Sequence, residues 1–537
     1  MIGLTWIPAN EKELLGAAIA LGAKSVGRWS PDERVLARNA AIPSEYSATE
    51  LASAIRSGED PLGDFFCQLR SATNRRSSGA TYTPAPIVNA MCSWATTQGV
   101  TPERVVEPGV GSARFLVSAA KYFPHATLVG VDTDPLALVL ARGHLAASGL
   151  AERAHVALDD YISCDLPPHS GPTLFIGNPP YVRHHLLSLR LKRWLARQAV
   201  SLGLRASRLA GLHVYFFLAT ALRARPGDLG AFITSAEWLD VNYGRLVRDL
   251  FSQQLGGRSL VVLEPTTMAF PDAATTAAIA TFVVEKAPRA TVSLHRIRSV
   301  QELPALDFDG GRVISRERLC VEPRWSHLTR VAAQVPPDYV ELGELFRVHR
   351  GQVTGANRVW VRGEQQLDLP DSVLFRAVTR ARELFAAGKA LVDASTLRRV
   401  IDLPADLSIF DASEKEAIDR FLRKARAVGA HSGYIARSRK AWWSVGLRDP
   451  APVLATYMAR RPPAFVRNLA AVRHINVAHG LYPREPLPDA ILDGLVAFLS
   501  RCTRQELGRT YAGGLTKFEP REMERIPIPS PSLLLET

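Results

Sequence analysis

From Arg104 onward the chain alternates short apolar runs with amphipathic helical stretches, and this rhythm constrains the fold more than any other feature. Strands joined through helices are parallel neighbours, so the pattern predicts βαβ units in an α/β domain, a Rossmann-like parallel sheet with helices on both faces. Arg104-Val105-Val106 reads as the first strand, Ser112 to Tyr122 as the next helix and Thr127 to Val131 as the second strand. Asp134-Pro135 then supplies an N-cap and first-turn pair for a helix rich in Leu and Ala. His155 to Leu158, Leu174 to Gly177, Gly230 to Thr234, Val261 to Leu263 and Ala278 to Val284 continue the series of strands, with a helix at Leu212 to Arg223.

Around this core the chain divides by pattern. Residues 1–75 carry helical periodicity, as in Glu11 to Ala23 and Ser47 to Ile55, and read as an accessory segment. The α/β rhythm covers 76–300, a connector spans 301–340, and 341–537 reads as a separate mixed α+β domain. At 537 residues there is room for two to four domains.

The formal charge of +13, from 65 basic and 52 acidic residues, favours a polyanionic partner. Five scattered cysteines without a CxxC pair argue against a disulfide framework or a structural zinc site, so a reducing cytoplasm and no metal are expected. No run approaches the ~20 apolar residues that span a bilayer, and the start Met1 to Trp6 lacks a signal-peptide pattern. No membrane partner is expected.

After the strand Leu174 to Gly177 comes Asn178-Pro179-Pro180-Tyr181, whose atoms suit a reaction on an exocyclic amine. Such an amine is a poor nucleophile because its lone pair is delocalised into the ring. The Asn178 side-chain oxygen and the Pro179 carbonyl could accept its two protons, held by prolines of fixed φ. Tyr181 offers a face for a planar base, a stack worth roughly 1–3 kcal/mol. A plain proline turn after a strand is the competing reading.

The company of the motif decides between them. The first strand runs into Glu107-Pro108-Gly109-Val110-Gly111-Ser112, a strand–turn–helix element whose glycines let the backbone approach a ligand. The second strand ends at Asp132, placed to accept from ribose hydroxyls, with Asp132 or Asp134 as a simple helix cap the alternative. Asp160-Tyr161 follows the next strand, where an Asp can accept from an adenine amino group and an aromatic can stack. Upstream, Gly79 to Pro86 leads into a helix and suits a lid over a cofactor.

In this order the residues from about Ser77 to Val284 resemble the gamma-class adenine-N6 DNA methyltransferases, which use S-adenosylmethionine. The resemblance implies that Thr83 lies in the cofactor lid, that Glu107 and Gly109 face the methionine part, and that Pro108 and Gly111 also belong to the cofactor site. By the same match Asp132 would hold the ribose, Asp160 the adenine amino group and Tyr161 the adenine face. Tyr215-Phe216-Phe217, Ile233-Thr234 and Trp238-Leu239 also look like the family's downstream elements. Ala269-Phe270-Pro271 resembles the loop that supplies a second aromatic, so Tyr181 and Phe270 would sandwich an adenine flipped out of duplex DNA. Core packing is the competing role for Phe270. Three positions depart from the family pattern: Ala113 replaces a glycine, Val110 a common cysteine and Thr173 an aspartate.

Between Tyr434 and Arg484 Asp449 is the one acid among nine basic residues, with Trp442 and Trp443 inside the run. Arg437, Arg439, Lys440, Arg460, Arg461 and Arg473 are therefore candidate DNA contacts, together with Arg183 just after the amine motif; a solvated charged face is the alternative. His349 to Asn357, Asn476 with His479 to Tyr482, and Tyr511 to Pro520 resemble the family's target-recognition domain. The expected protein is a site-specific DNA adenine methyltransferase, a monomer on double-stranded DNA, in a bacterial or archaeal restriction–modification setting with a separately encoded endonuclease. The rivals are a catalytically silent DNA-specificity subunit and a protein glutamine methyltransferase, whose substrate amide presents a similar NH2 group.

Overall fold

The computed structural model describes residues 4–70, 82–264, 276–329, 336, 338–363, 368–503, 508–511 and 515–534. Two compact units divide the chain, residues 1–331 and 332–537.

The first unit is built on a nine-stranded sheet. Its strands are β1 (Arg104–Pro108), β2 (Thr127–Asp132), β3 (Ala154–Leu158), β4 (Thr173–Gly177), β5 (Leu229–Ser235), β6 (Gly257–Leu263), β7 (Ala277–Val283), β8 (Thr291–Ile297) and β9 (Arg312–Ser315). They lie in the order β3-β2-β1-β4-β5-β7-β6-β8-β9. β1 pairs in parallel with β2 and β4, and β4 in parallel with β5, so the ends of β1, β2 and β4 point the same way. β7 runs antiparallel between β5 and β6. Because both faces are covered, the strands are continuously apolar rather than alternating; every residue of β4, β5, β6 and β7 is buried. Neighbouring residues feed opposite cores. Val105 packs with Met91, Trp94 and Leu116, and Val106 with Phe175, Phe217 and Trp238.

The helices are α1 (Glu11–Ala20), α2 (Pro31–Ala37), α3 (Glu45–Arg56), α4 (Pro61–Leu69), α5 (Ala85–Thr96), α6 (Arg114–Tyr122), α7 (Pro135–Ala147), α8 (Leu189–Ser201), α9 (Leu212–Arg223), α10 (Arg245–Ser252) and α11 (Arg316–Val321). The amino-terminal helices share a core with α7, in which Leu14, Ala18, Leu51 and Phe65 meet Leu136, Val139 and Leu140. α1 lies so close that a Cβ on Gly143 would sit 2.8 Å from Ala18 Cα. Arg142, fully buried on α7, reaches Glu33 at 2.6 Å and donates to the carbonyls of Val26, Arg28 and Val156. The accessory segment is thus bolted to the sheet domain by packing and a buried ion pair.

The sheet also runs past residue 300, where the sequence pattern places the start of a connector. β9 pairs antiparallel with β8, and Trp325 is buried against Trp238 and Phe251. Four residues of edge strand, only Ile314 of them buried, carry too little periodicity to be read in advance.

The second unit is mixed α+β. Phe346–Arg350, Ala478–Pro483, Val453–Thr456, Phe465–Asn468 and Ala390–Leu391 form a five-stranded sheet in that order, and a four-stranded sheet stands beside it in sequence-interleaved fashion. The helix Asp489–Cys502 packs on one core and the helix Ala412–Ala427 on another. Among the described residues no helix is long and apolar enough to cross a membrane.

Candidate active site

Parallel strands deliver their carboxyl ends to one edge of the sheet, and there β1, β2 and β4 open onto a cavity of about 350 Å³. Tyr82, Thr83, Glu107, Gly109, Gly111, Asp132, Asp160, Asn178 and Pro180 line it. Residues from five separate stretches of sequence therefore meet on one wall.

The turn after β1 is shaped by positive φ: Gly109 lies at +71° and Gly111 at +53°. Ala113, the N-cap of α6, also adopts the left-handed conformation at φ 68°, where an L side chain is strained by about 1 kcal/mol. That explains the family's glycine at this position and locates the departure at a helix cap. Val110 packs on the bare backbone of Gly130, where a Cβ would sit 2.7 Å from Val110 Cγ2. Thr173 begins β4 at the far end from Asn178; its hydroxyl accepts from Arg104 Nε at 3.1 Å and its N–H donates to Asp228 at 2.7 Å.

Two carboxyls sit in the wall. Glu107 is buried, accepts the Leu116 N–H at 3.0 Å at the start of α6, and burial pushes its pKa well above the usual carboxyl range. Asp132 accepts from Gly111 N–H at 2.9 Å and Asp134 N–H at 3.0 Å, and burial raises its pKa against those two hydrogen bonds. Asp160 takes the Ile162 N–H on one oxygen at 3.0 Å. Pro108 closes β1 next to Gly177, whose Cβ would meet it at 3.5 Å.

Asn178 is fixed at both ends of its amide. Nδ2 donates to Thr83 Oγ1 at 3.1 Å, and Oδ1 accepts from the Tyr181 hydroxyl at 2.6 Å. That hydroxyl also lies 3.4 Å from the Ile233 carbonyl on β5, and burial raises its pKa. Sequence reasoning assigns Oδ1 to an incoming amine and Tyr181 to stacking; in the structure Oδ1 accepts from the tyrosine hydroxyl.

Tyr161 lines the cavity with its ring packed largely into the core. Its side chain is 2% exposed, its hydroxyl is 2.8 Å from Thr220 Oγ1, and Phe216 and Arg223 pack on its ring. Burial lifts its phenol to about 12. The turn made by Asp160 on Ile162 N–H packs the Tyr161 ring toward the core, while Tyr161 still lines the cavity together with Ile162, Leu187 and Phe216. Within the lid segment sequence reasoning did not single out Tyr82, whose buried hydroxyl has no hydrogen-bond partner among the described residues and lies beside Gly111. Gly79 to Thr81 and Phe270 lie outside the described residues, as do Ala512 to Gly514 of the carboxyl-terminal resemblance.

The basic stretch of the second unit separates into two sets. Arg437, Lys440, Arg460 and Arg461 are exposed, Arg461 lying 3.5 Å above the Phe385 ring. Arg439 instead donates to the carbonyls of Val353 at 2.6 Å and Thr354 at 3.2 Å. Arg473 stacks on Phe375 at 3.9 Å and donates to Leu447 O at 3.0 Å, so both act as internal struts and are corrected from DNA candidates. Trp442 and Trp443 sit in an apolar cluster with Trp360 rather than on an open face. Arg183 of the first unit is exposed.

A glycine-rich turn, acidic strand ends and an Asn-Pro-Pro-Tyr loop at one edge of this sheet define an adenine-N6 DNA methyltransferase of the gamma class. Residues 58–196 match the family described as N-6 DNA Methylase, and residues 324–536 match the C-terminal domain of Type II methyltransferase M.Eco57I. The chain is 54% identical over 454 residues to Type II methyltransferase M.XamI of Xanthomonas campestris pv. amaranthicola, covering 84% of this chain and 85% of that one. It is 22% identical to Type II methyltransferase M.AccI of Acinetobacter calcoaceticus, over 85% and 86% of the two chains. The Type IIL restriction-modification enzyme MmeI, solved in complex with DNA, shares the fold at 13% identity, a TM-score of 0.54 and coverage of 95% of this chain and 79% of that one. The chain belongs to the Type II DNA methyltransferase family of restriction–modification systems.

Proposed function

We propose that the cavity at the ends of β1, β2 and β4 binds S-adenosylmethionine and that Asn178 activates the N6 amine of an adenine flipped out of duplex DNA. The observation that carries this is the Asn178 amide, anchored through Nδ2 on Thr83 with Oδ1 already accepting a hydrogen bond at 2.6 Å.

The residues present fit the cofactor. Gly109 and Gly111 give bare backbone, the Tyr82 hydroxyl, without a hydrogen-bond partner among the described residues, gives a polar atom on the wall, and the buried Glu107 and half-buried Asp132 are carboxyls whose raised pKa values favour a ligand bringing positive charge or hydroxyl donors. Asp132 would hold the ribose hydroxyls, Asp160 the adenine amino group, and Glu107 and Gly109 the methionine end. The adenine face would be formed by Tyr161 together with Ile162 and Phe216. When bound, the cofactor supplies an electrophilic methyl group.

The protein's own work is on the amine. As the target N6 arrives, one of its N–H groups replaces the Tyr181 hydroxyl as the donor to Oδ1, while the Pro179 carbonyl accepts a hydrogen bond from the other N–H. Accepting hydrogen bonds from both N–H groups draws the amine away from conjugation and leaves the lone pair facing the methyl group; as the N–C bond forms the S–C bond breaks, and the methylated N6 then gives up one proton to solvent. The released Tyr181 ring stacks on the base, with Phe270 proposed as its second face. Arg183, Arg437, Lys440, Arg460 and Arg461 would hold phosphates. The enzyme would act as a monomer in the cytoplasm beside a separately encoded endonuclease.

Calorimetry with S-adenosylmethionine tests the cofactor reading. Binding is expected, and Asp132→Ala should weaken it roughly tenfold or more, since a charge-assisted hydrogen bond is lost. Absence of heat at high cofactor concentration would contradict it.

A further inference from the structure

Asn178 serves an incoming amine in one orientation of its amide, with Oδ1 toward the base and Nδ2 away from it. The reversed amide would set donor against donor. The bond from Nδ2 to Thr83 Oγ1 therefore matters as much as the oxygen itself.

Thr83 is held in turn. It is 2% exposed, and its carbonyl accepts from Arg114 Nη1 at 3.1 Å. The remaining edges of that guanidinium are taken by two carboxylates at the start of α4: Nε meets Asp60 at 2.6 Å and Nη2 meets Asp64. Asp60 is buried and fixed by the Gly63 N–H at 2.9 Å and by the Ser112 hydroxyl, with His144 Nδ1 at 3.6 Å. The packing is close enough that a Cβ on Gly63 would lie 2.2 Å from Asp60 Oδ2. An N-cap needs one such bond; this carboxylate has a wider set of partners.

We infer that Asp60 and Arg114 are positioning residues for methyl transfer: they lock Thr83, and Thr83 sets the orientation of the Asn178 amide. The inference rests on the reading of Asn178 given above. A planar guanidinium can hold two carboxylates and a carbonyl along its three edges at once, which a lysine ammonium does not reproduce. Burial alone would raise the Asp60 pKa, but Arg114 beside it holds the carboxyl below its ordinary value, so the clamp stays ionised at neutral pH. The amino-terminal helices thereby gain a catalytic reason to be docked on the sheet. Their α4 end fixes the loop that aims the nucleophile's acceptor.

The test uses the full-length protein, unmethylated phage DNA and methyl-labelled S-adenosylmethionine under single-turnover conditions. Arg114→Lys and Thr83→Val are each expected to slow methyl transfer roughly tenfold or more, well beyond any accompanying change in the cofactor Kd. Thr83→Ser, which keeps the hydroxyl, should recover most of the rate. Asp60→Asn should slow transfer in the same direction. If Arg114→Lys fails to fold, the Thr83→Val and Thr83→Ser pair decides alone. Unchanged rates in Thr83→Val, or rates that fall only in step with cofactor affinity, would overturn the clamp while leaving an inactive Asn178→Ala to support the catalytic reading. Full activity in Asn178→Ala would overturn that reading and the clamp with it.

Discussion

The end of the sheet and the basic stretch of the second unit both offered named residues, and the structure treats them differently. At the sheet, Thr83, Glu107, Gly109, Gly111, Asp132, Asp160 and Asn178 converge on one cavity although nearly a hundred positions separate the first from the last. In the second unit Arg439, Arg467 and Arg473 turn inward, to carbonyls, to Asp489 and Asp493, and to an aromatic face, while their neighbours stay in solvent. Parallel topology dictates where strand ends go. Nothing comparable dictates the aim of an arginine, whose long stem and five donors serve a buried carbonyl as well as a phosphate.

The largest effect expected away from the chemistry tests how far the catalytic unit extends. Glu33→Ala leaves Arg142 charged and fully buried, which should destabilise the protein by about 3–5 kcal/mol in denaturant melts. A loss near zero would make the amino-terminal helices an appendage after all.

Next comes the division of the basic stretch. Removing Arg437, Lys440, Arg460 and Arg461 together should weaken DNA binding by on the order of a hundredfold and make the slope of log K against log salt shallower by up to about 3.6. Arg473→Ala should lower the melting temperature instead, with little change in that slope. Equal salt effects in both variants would erase the distinction between struts and contacts.

Acid sharpens the comparison further. Burial lowers the pKa of His213 in the first unit, and of His474 and His479 in the second, to about 4. The unfolded chain takes up these protons first, so stability holds above roughly pH 6.5 and falls as pH drops toward 4, by about 1.4 kcal/mol per pH unit for each group. Calorimetric melts at pH 7.5 and 5.5 should show the drop, and His213→Gln should remove one share of it. The smallest effect is Ala113→Gly, which relieves a left-handed cap and should stabilise by up to about 1 kcal/mol in the same melts.

Much of the site was legible because its residues are tied to backbone geometry. Gly109 and Gly111 mark positive φ, Asp132 and Asp160 mark strand ends, and the prolines mark a stiff loop after β4. Tyr161 does line the cavity, but the inward packing of its ring could not be read in advance, because the Asp160 turn that sets it is a hydrogen bond, not a pattern. Asp60 and Arg114 were invisible for a related reason: their partnership spans distant elements and follows no spacing. The edge strand β9 escaped notice because four residues, only Ile314 of them buried, carry no period.

The central claim is that this sheet edge methylates adenine N6, and nucleoside analysis of DNA incubated with the purified protein and methyl-labelled S-adenosylmethionine tests it most directly. The account predicts label in N6-methyladenine with the native protein and a roughly hundredfold or greater loss with Asn178→Ala. Label in a cytosine derivative, or undiminished N6-methyladenine from Asn178→Ala, would contradict it.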